Sequence, residues 1–432
     1  MTAVRRVYVY AVAYVSLLML AFGVSGLGRT LLQTLITSSS ATIRTGIRAD
    51  VATNGALVLV GLPVWLLHWW LANRNPDLDE RASALRRLYV YGVLASMAIG
   101  IASAAQDILE GIARWLLPEV VDDSTPRVLE EFPWLIVAGV LWIFHQRVAA
   151  RDRVLASERG GSATLRRWYV YGVAFIALMY LLHNTARIFR ITWETIASGI
   201  VDATITVTPA GIAGASATAL VALVFWVSHW RLWVVQDRSS GTRPPTRATE
   251  NEQLNLPVLG QDLRSILRPL FLFASLAVVV TVTLWGGAQL LYYALGRLLG
   301  VERPGGVGGN FLVAMAGPMS AVVVYGLGWL YQQRALAAQA DAQEELPRQA
   351  GVRRLYTYAV ALVALATVAT GAGGVLWTLA DLATNAPRTV DPTDWWRNQL
   401  SLFVTFLAVG LPVWLAHWGP VSKVRGQGLG VR

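Results

Sequence analysis

RRVYVYAV (Arg5–Val12) returns as RRLYVYGV (Arg86–Val93), RRWYVYGV (Arg166–Val173) and RRLYTYAV (Arg353–Val360). A looser copy, RPLFLFAS, occupies Arg268–Ser275. Each phrase opens a long apolar run, and a polar connection then leads to a second one. That second run ends on Trp-x-x-His in four cases: Trp65/His68, Trp142/His145, Trp226/His229 and Trp414/His417. In the copy that starts at Arg268 the same places hold Trp329 and Gln332. The chain therefore reads as one unit of about 80 residues used five times, and such self-similarity fixes the architecture before any local reading does.

The apolar runs extend from Tyr8–Leu27 to Leu400–Trp418. Most approach or exceed the roughly 18–20 residues that cross a hydrocarbon core. Over the whole chain 55% of residues are apolar and 14% charged, against roughly 25% charged in ordinary soluble domains. The expected fold is an all-α integral membrane protein with about ten transmembrane helices. They form five parallel two-helix repeats at 1–78, 79–158, 159–237, 263–345 and 346–432. The stretch 238–262 contains SSGTRPPTRATENEQ, which has too little apolar surface to fold and reads as a flexible cytoplasmic linker. Most of the 36 Lys and Arg residues lie at the termini and in the connections between units. By the positive-inside rule both termini are cytoplasmic.

The longest identical phrase is GLPVWLLHW (Gly61–Trp69), repeated as GLPVWLAHW (Gly410–Trp418). Together with ERASALRRLYVY (Glu80–Tyr91), it resembles a family of bacterial multi-pass membrane proteins known only as a domain of unknown function. The resemblance implies a location in the bacterial plasma (inner) membrane. It implies no activity and no catalytic residues.

The residues themselves exclude several chemistries. No cysteine is present, so disulfides, thiolate metal sites and cysteine nucleophiles are ruled out. The single lysine, Lys423, follows no glycine, so a phosphate-binding Walker loop is absent. HExxH, GxSxG and GxGxxG are also missing. Asp122–Asp123 and Glu130–Glu131 read as an acidic outer loop, and Gly305–Asn310 as a turn. No catalytic, cofactor or metal residues are assigned. The expected partners are the lipid bilayer and another membrane protein, with no nucleic acid.

Two residue sets remain. The first is a belt at the cytoplasmic face: His68, His145, His229 and His417 with Tyr8, Tyr89, Tyr169 and Tyr356. The adjacent arginines are expected in the headgroups, and the Tyr and Trp rings at the interface. Where histidine becomes Gln332, both tyrosines become phenylalanine (Phe271, Phe273). Each imidazole is therefore expected to hydrogen-bond a tyrosine hydroxyl, and losing both partners together would leave no orphan. Haem ligation is the weaker alternative, because four histidines spread around one interface do not face each other across a bundle.

The second set is a polar stripe further along the helices that the Arg-Arg phrases open. Asp107, Glu110 and Arg114 follow Tyr89 at the same offsets as Arg187, Arg190 and Glu194 follow Tyr169, with opposite charge at each. His183 and Asn184 lie deeper. The expected role is a set of clamps between two neighbouring helices. The leading functional expectation is a non-enzymatic scaffold or interaction protein. The alternatives are a channel, transporter or lipid-handling protein that uses the stripe, and a haem or quinone redox subunit.

Overall fold

A computed structural model describes residues 3–36, 41–74, 77–116, 125–156, 161–201, 209–232, 265–302, 304, 310–340, 347–384 and 395–428. The linker 238–262, Asp122–Asp123 and residues 305–309 lie outside these. The described residues form helices, with no strand among them. Among the described residues, ten helices are long and apolar enough to cross a membrane.

The helices that begin with the Arg-Arg phrases are α1 (Ala3–Ile36), α4 (Ala84–Leu116), α6 (Gly161–Val201) and α12 (Pro347–Thr384), with α8 (Leu267–Leu298) carrying the looser copy. Each is followed by a second span. These are α2 (Ala41–Asn73), α5 (Thr125–Leu155), α7 (Pro209–Trp226) and α13 (Trp395–Gly428). The span after α8 is broken into α9 (Phe311–Ala314), α10 (Ala316–Ser320) and α11 (Gly326–Ala340), with a π-helical turn at Ala321–Tyr325. A second π turn, Val227–Leu232, extends α7 and carries His229. A short helix, α3 (Leu78–Ala82), joins α2 to α4, and its Asp77 cap accepts from the Glu80 amide at 2.7 Å.

The chain divides into two compact units. One comprises Met1–Leu181 and Thr208–Asp262, the other Leu182–Val207 and Leu263–Arg432. The boundary is thus crossed by α6 as well as by the linker. In the first unit α1 packs on α2 and on α5, and α4 packs on α5 and on α7. In the second, α8 packs on the α10–α11 span and on α13, while α12 packs on α13. An Arg-Arg helix therefore lies against the second span of its own repeat and that of the next. The outer part of α6 follows the same rule: Trp193 Nε1 donates to the Leu312 carbonyl at 2.8 Å.

GLPVWLLHW recurs partly because its glycine sits at a helix crossing. A methyl group on Gly61 would lie 2.9 Å from the Leu20 amide nitrogen and 3.0 Å from the Ser16 carbonyl. Gly410 meets the Val368 backbone nitrogen at 3.2 Å in the same way. Small residues let membrane helices approach backbone to backbone, where dispersion replaces the missing hydrophobic drive. Pro63, two residues later, stays inside α2 without ending it, as neighbouring helices allow in a membrane. Gly61→Ala should therefore destabilise the protein by about 1–3 kcal/mol through overpacking. Gly55→Ala, on the same helix with nothing within 4 Å, should stabilise it by about 0.5–1 kcal/mol. Thermal unfolding in detergent micelles measures both.

Candidate functional site

The first tyrosine of each Arg-Arg phrase lies beside the histidine of its own repeat. Ring centroids are 5.6 Å apart for Tyr8/His68 and Tyr89/His145, 5.5 Å for Tyr169/His229 and 6.0 Å for Tyr356/His417. In the two inner pairs the hydroxyl meets Nε2 at 3.2 Å. The same hydroxyl takes a second partner from the preceding repeat. Trp65 Nε1 donates to Tyr89 at 3.2 Å, and Trp142 Nε1 donates to Tyr169 at 3.1 Å.

The direction of this chain follows from its last link. Each imidazole Nδ1 lies 2.7–2.9 Å from the carbonyl four residues earlier: Val64, Leu141, Phe225 and Val413. A carbonyl only accepts, so Nδ1 carries the hydrogen and Nε2 of the neutral ring accepts. Tryptophan N–H thus donates to the tyrosine oxygen, and the tyrosine O–H donates to Nε2. A proton on Nε2 would aim two donors at one oxygen and leave the hydroxyl hydrogen without an acceptor.

The second aromatic of the phrase has a separate task. It packs on the first aromatic of the next Arg-Arg helix, with centroids 5.7 Å apart for Tyr10/Tyr89 and Tyr91/Tyr169, and 5.3 Å for Phe273/Tyr356. This contact needs a ring and no hydroxyl, so Phe273 serves. Inner members are buried, with Tyr89 and Tyr91 at 3% and 4% exposure. The outermost ones are not: Tyr8 is 60% exposed and Tyr358 52%.

Two expectations about this belt need correction. Arg86 and Arg87 are 1% and 0% exposed, so they are buried within the protein and do not extend outward from it. Arg86 grips Asp152 through Nε at 2.6 Å and Nη2 at 3.3 Å, and its Nη2 also reaches Asn73 Oδ1 at 3.0 Å. Arg81 holds the same carboxylate at 3.0 Å. Beside it Glu80, 3% exposed, accepts from Tyr10 at 2.8 Å and from Arg6 at 2.7 Å. Buried carboxylates make burial of the arginines tolerable, because a bidentate Arg–carboxylate pair satisfies charge and hydrogen bonds together.

Asp152 and Glu80 escaped the sequence reading. The signal was the acidic residues scattered among the arginines at this end of the helices, which the positive-inside rule does not use. The second correction concerns Gln332, which is 1% exposed. Its Oε1 and Trp329 Nε1 find no hydrogen-bond partner among the described residues. Exchanging histidine and tyrosine together therefore does not leave that repeat free of orphans.

Two pairs of the polar stripe close along a single helix. Glu110 is held by Arg114, with Nε at 3.0 Å. Arg190 lies 3.4 Å from Glu194, again one turn away. Spacing of four residues brings such side chains together on one helix face. Asp107, His183 and Arg187 are exposed, while Asn184 is buried. Among the described residues no group of three or more His, Asp or Glu side chains forms a metal site.

A family model for a domain of unknown function (DUF5671) matches residues 6–132, 167–327 and 354–429. The chain belongs to the DUF5671 family. Each matched segment starts on the second arginine of an Arg-Arg phrase: Arg6, Arg167 and Arg354. No curated protein and no solved structure matches the chain. With its ten apolar helices, this DUF5671 protein is a multi-pass membrane protein.

Two substitutions test the seam. Tyr89→Phe leaves Trp65 Nε1 without its acceptor and His145 Nε2 without its donor, at about 1–3 kcal/mol per orphaned group. Tyr10→Phe removes its bond to Glu80, which keeps Arg6, and a 3.5 Å contact from Arg86, which keeps Asp152 and Asn73, so its loss of thermal stability should be the smaller. Asp152→Asn leaves Arg86 as an uncompensated buried charge and should destabilise by about 3–5 kcal/mol. Combining it with Arg86→Met should recover much of that loss in the same melting assay.

Proposed function

We propose that this protein is a non-enzymatic membrane scaffold of the plasma (inner) membrane, with both termini cytoplasmic, that engages another membrane protein. The carrying observation is the contrast between inner and outermost joining residues. Tyr10, Tyr89, Tyr91 and Tyr169 are buried where one repeat meets the next. Tyr8 is the first aromatic of the first phrase and Tyr358 the second aromatic of the last, and both are exposed. Repeat arrays ordinarily end in atypical capping units, but here the terminal phrases carry the same joining side chains as the inner ones. A surface that already pairs with a copy of itself is suited to taking up a further helix.

The chemistry of the belt supports the same reading. Its histidines, tyrosines and tryptophans hold one another and the backbone, which leaves them suited to structure. No cofactor is required. The arginine-rich connections favour a cytoplasmic side for both termini.

The chain lacks cysteine, so single-cysteine variants can be cross-linked in native membranes without background. Tyr8→Cys and Tyr358→Cys should give discrete protein adducts, whereas Leu59→Cys on a lipid-facing side, 77% exposed, should not. Purified protein in vesicles should pass ions no faster than empty vesicles. Ion flux lost in Asp107→Asn, together with no adducts, would reject the scaffold in favour of a channel or transporter.

A further inference from the structure

A cavity of about 430 Å³ lies in the first unit between α4, α6 and α7. That volume is within the roughly 300–1,000 Å³ of small-molecule sites. Its origin can be read by comparing repeats. In the preceding crevice, between α1 and α5, Phe22 stacks on Trp134 with ring centroids 4.9 Å apart. Phe22 follows Tyr8 at the offset at which Ser103 follows Tyr89, and Trp134 precedes His145 as Thr218 precedes His229. An aromatic stack has thus become a pair of hydroxyls. Ala95 and Ala98, both lining the cavity, likewise stand where α1 has Tyr14 and Leu17. In the opposite direction, Tyr180 stands where α4 has Gly100. It lines the mouth and is 56% exposed.

We infer that this crevice binds an uncharged lipid headed by a hydroxyl, of the diacylglycerol class. No Arg, Lys, Asp, Glu or His lines it. A phosphate or ammonium headgroup would lie there without a counter-charge, a costly arrangement inside a membrane. Its polar groups are few. Ser103 Oγ donates to the Gly100 carbonyl at 3.1 Å, and Thr218 Oγ1 donates to the Gly214 carbonyl at 2.9 Å. Each hydroxyl has committed its hydrogen, so what it offers a ligand is lone pairs. A ligand hydroxyl can donate to them. Gln106, also lining the cavity, brings an amide that can both donate and accept.

The rest of the wall is apolar and suits acyl chains. Access is sideways from the bilayer, because Ile99 and Ile176 at the edge are 71% and 57% exposed. Ile99 lies about 15 Å along α4 from Tyr89, near the middle of a core about 30 Å thick. The site does not rest on the scaffold reading, although the belt residue Tyr169 is part of its wall.

The test places the full chain in phosphatidylcholine vesicles containing a diacylglycerol with a diazirine in its acyl chain. After illumination, labelled peptides are mapped by mass spectrometry. Labelling should concentrate on 95–106 and 218–225 and be displaced by unlabelled diacylglycerol. A diazirine phosphatidylglycerol should label these peptides about tenfold less, as one factor of ten in affinity implies. Ser103→Phe refills the crevice and should abolish the focused labelling. Thr218→Val keeps the volume and removes an acceptor, so it should weaken labelling even if the Phe variant fails to fold. Labelling spread over every lipid-facing helix side, equal labelling by the anionic lipid, or no effect of either substitution would overturn the assignment.

Discussion

A tyrosine hydroxyl can accept one hydrogen bond while donating another, and the seam between repeats depends on that. Tyr89 receives Trp65 from the repeat before and gives its hydrogen to His145 of its own. Tyr169 does the same between Trp142 and His229. Tyr89 and His145 are buried at 3% and 0% exposure, away from water, so each link in the chain satisfies a group that would otherwise be stranded. The histidine is fixed in one tautomer because its other nitrogen donates to a carbonyl one turn back. The seam is therefore directional: the tryptophan hydrogen points from one repeat into the next, and the tyrosine and histidine hydrogens then stay within that repeat. A helix that lacked either neighbour would break the chain at a defined atom.

The buried charges add a constraint of another kind. Arg86 sits between Asp152, Asn73 and Tyr10, and Trp69 lies under its guanidinium with the centroid 5.7 Å away. These residues belong to four different helices or their ends, so the arginine is satisfied only when all are assembled. A pair of this type adds little net stability over an apolar core of equal volume. Its value here is specificity of assembly. Helices that are apolar nearly all round could slide past one another, and one guanidinium that must meet one carboxylate removes that freedom.

How much of this was legible beforehand depends on whether a residue repeats. The helix count, the unit and the Tyr–His neighbourhood could be read from the chain because RRxYxY and WxxH recur at fixed spacing. The second tyrosine's role as a stacking ring was also encoded, since Phe273 keeps the ring while losing the hydroxyl. Asp152 and Glu80 occur once each, in connections where nothing in composition separates a buried carboxylate from a solvated one. The stripe shows the same limit: matching offsets on two helices do not reveal that Glu110 has Arg114 one turn away, a local pair that closes at little entropic cost.

The two ends of these helices have diverged to different degrees, and the physics of the seam accounts for it. At the Arg-Arg end each side chain has partners in two repeats, so changing one strands another, as the orphaned Gln332 and Trp329 atoms illustrate. Further along, some contacts are apolar and pairwise. Phe22 on Trp134 fills one crevice, but replacing both by Ser103 and Thr218 in the next orphans nothing, because each hydroxyl turns back on its own helix. The cost is only lost packing, which a lipid tail can refill. Variation within one chain therefore collects where hydrogen bonds close locally, and a cavity can open there without loosening the joint that holds the repeats together.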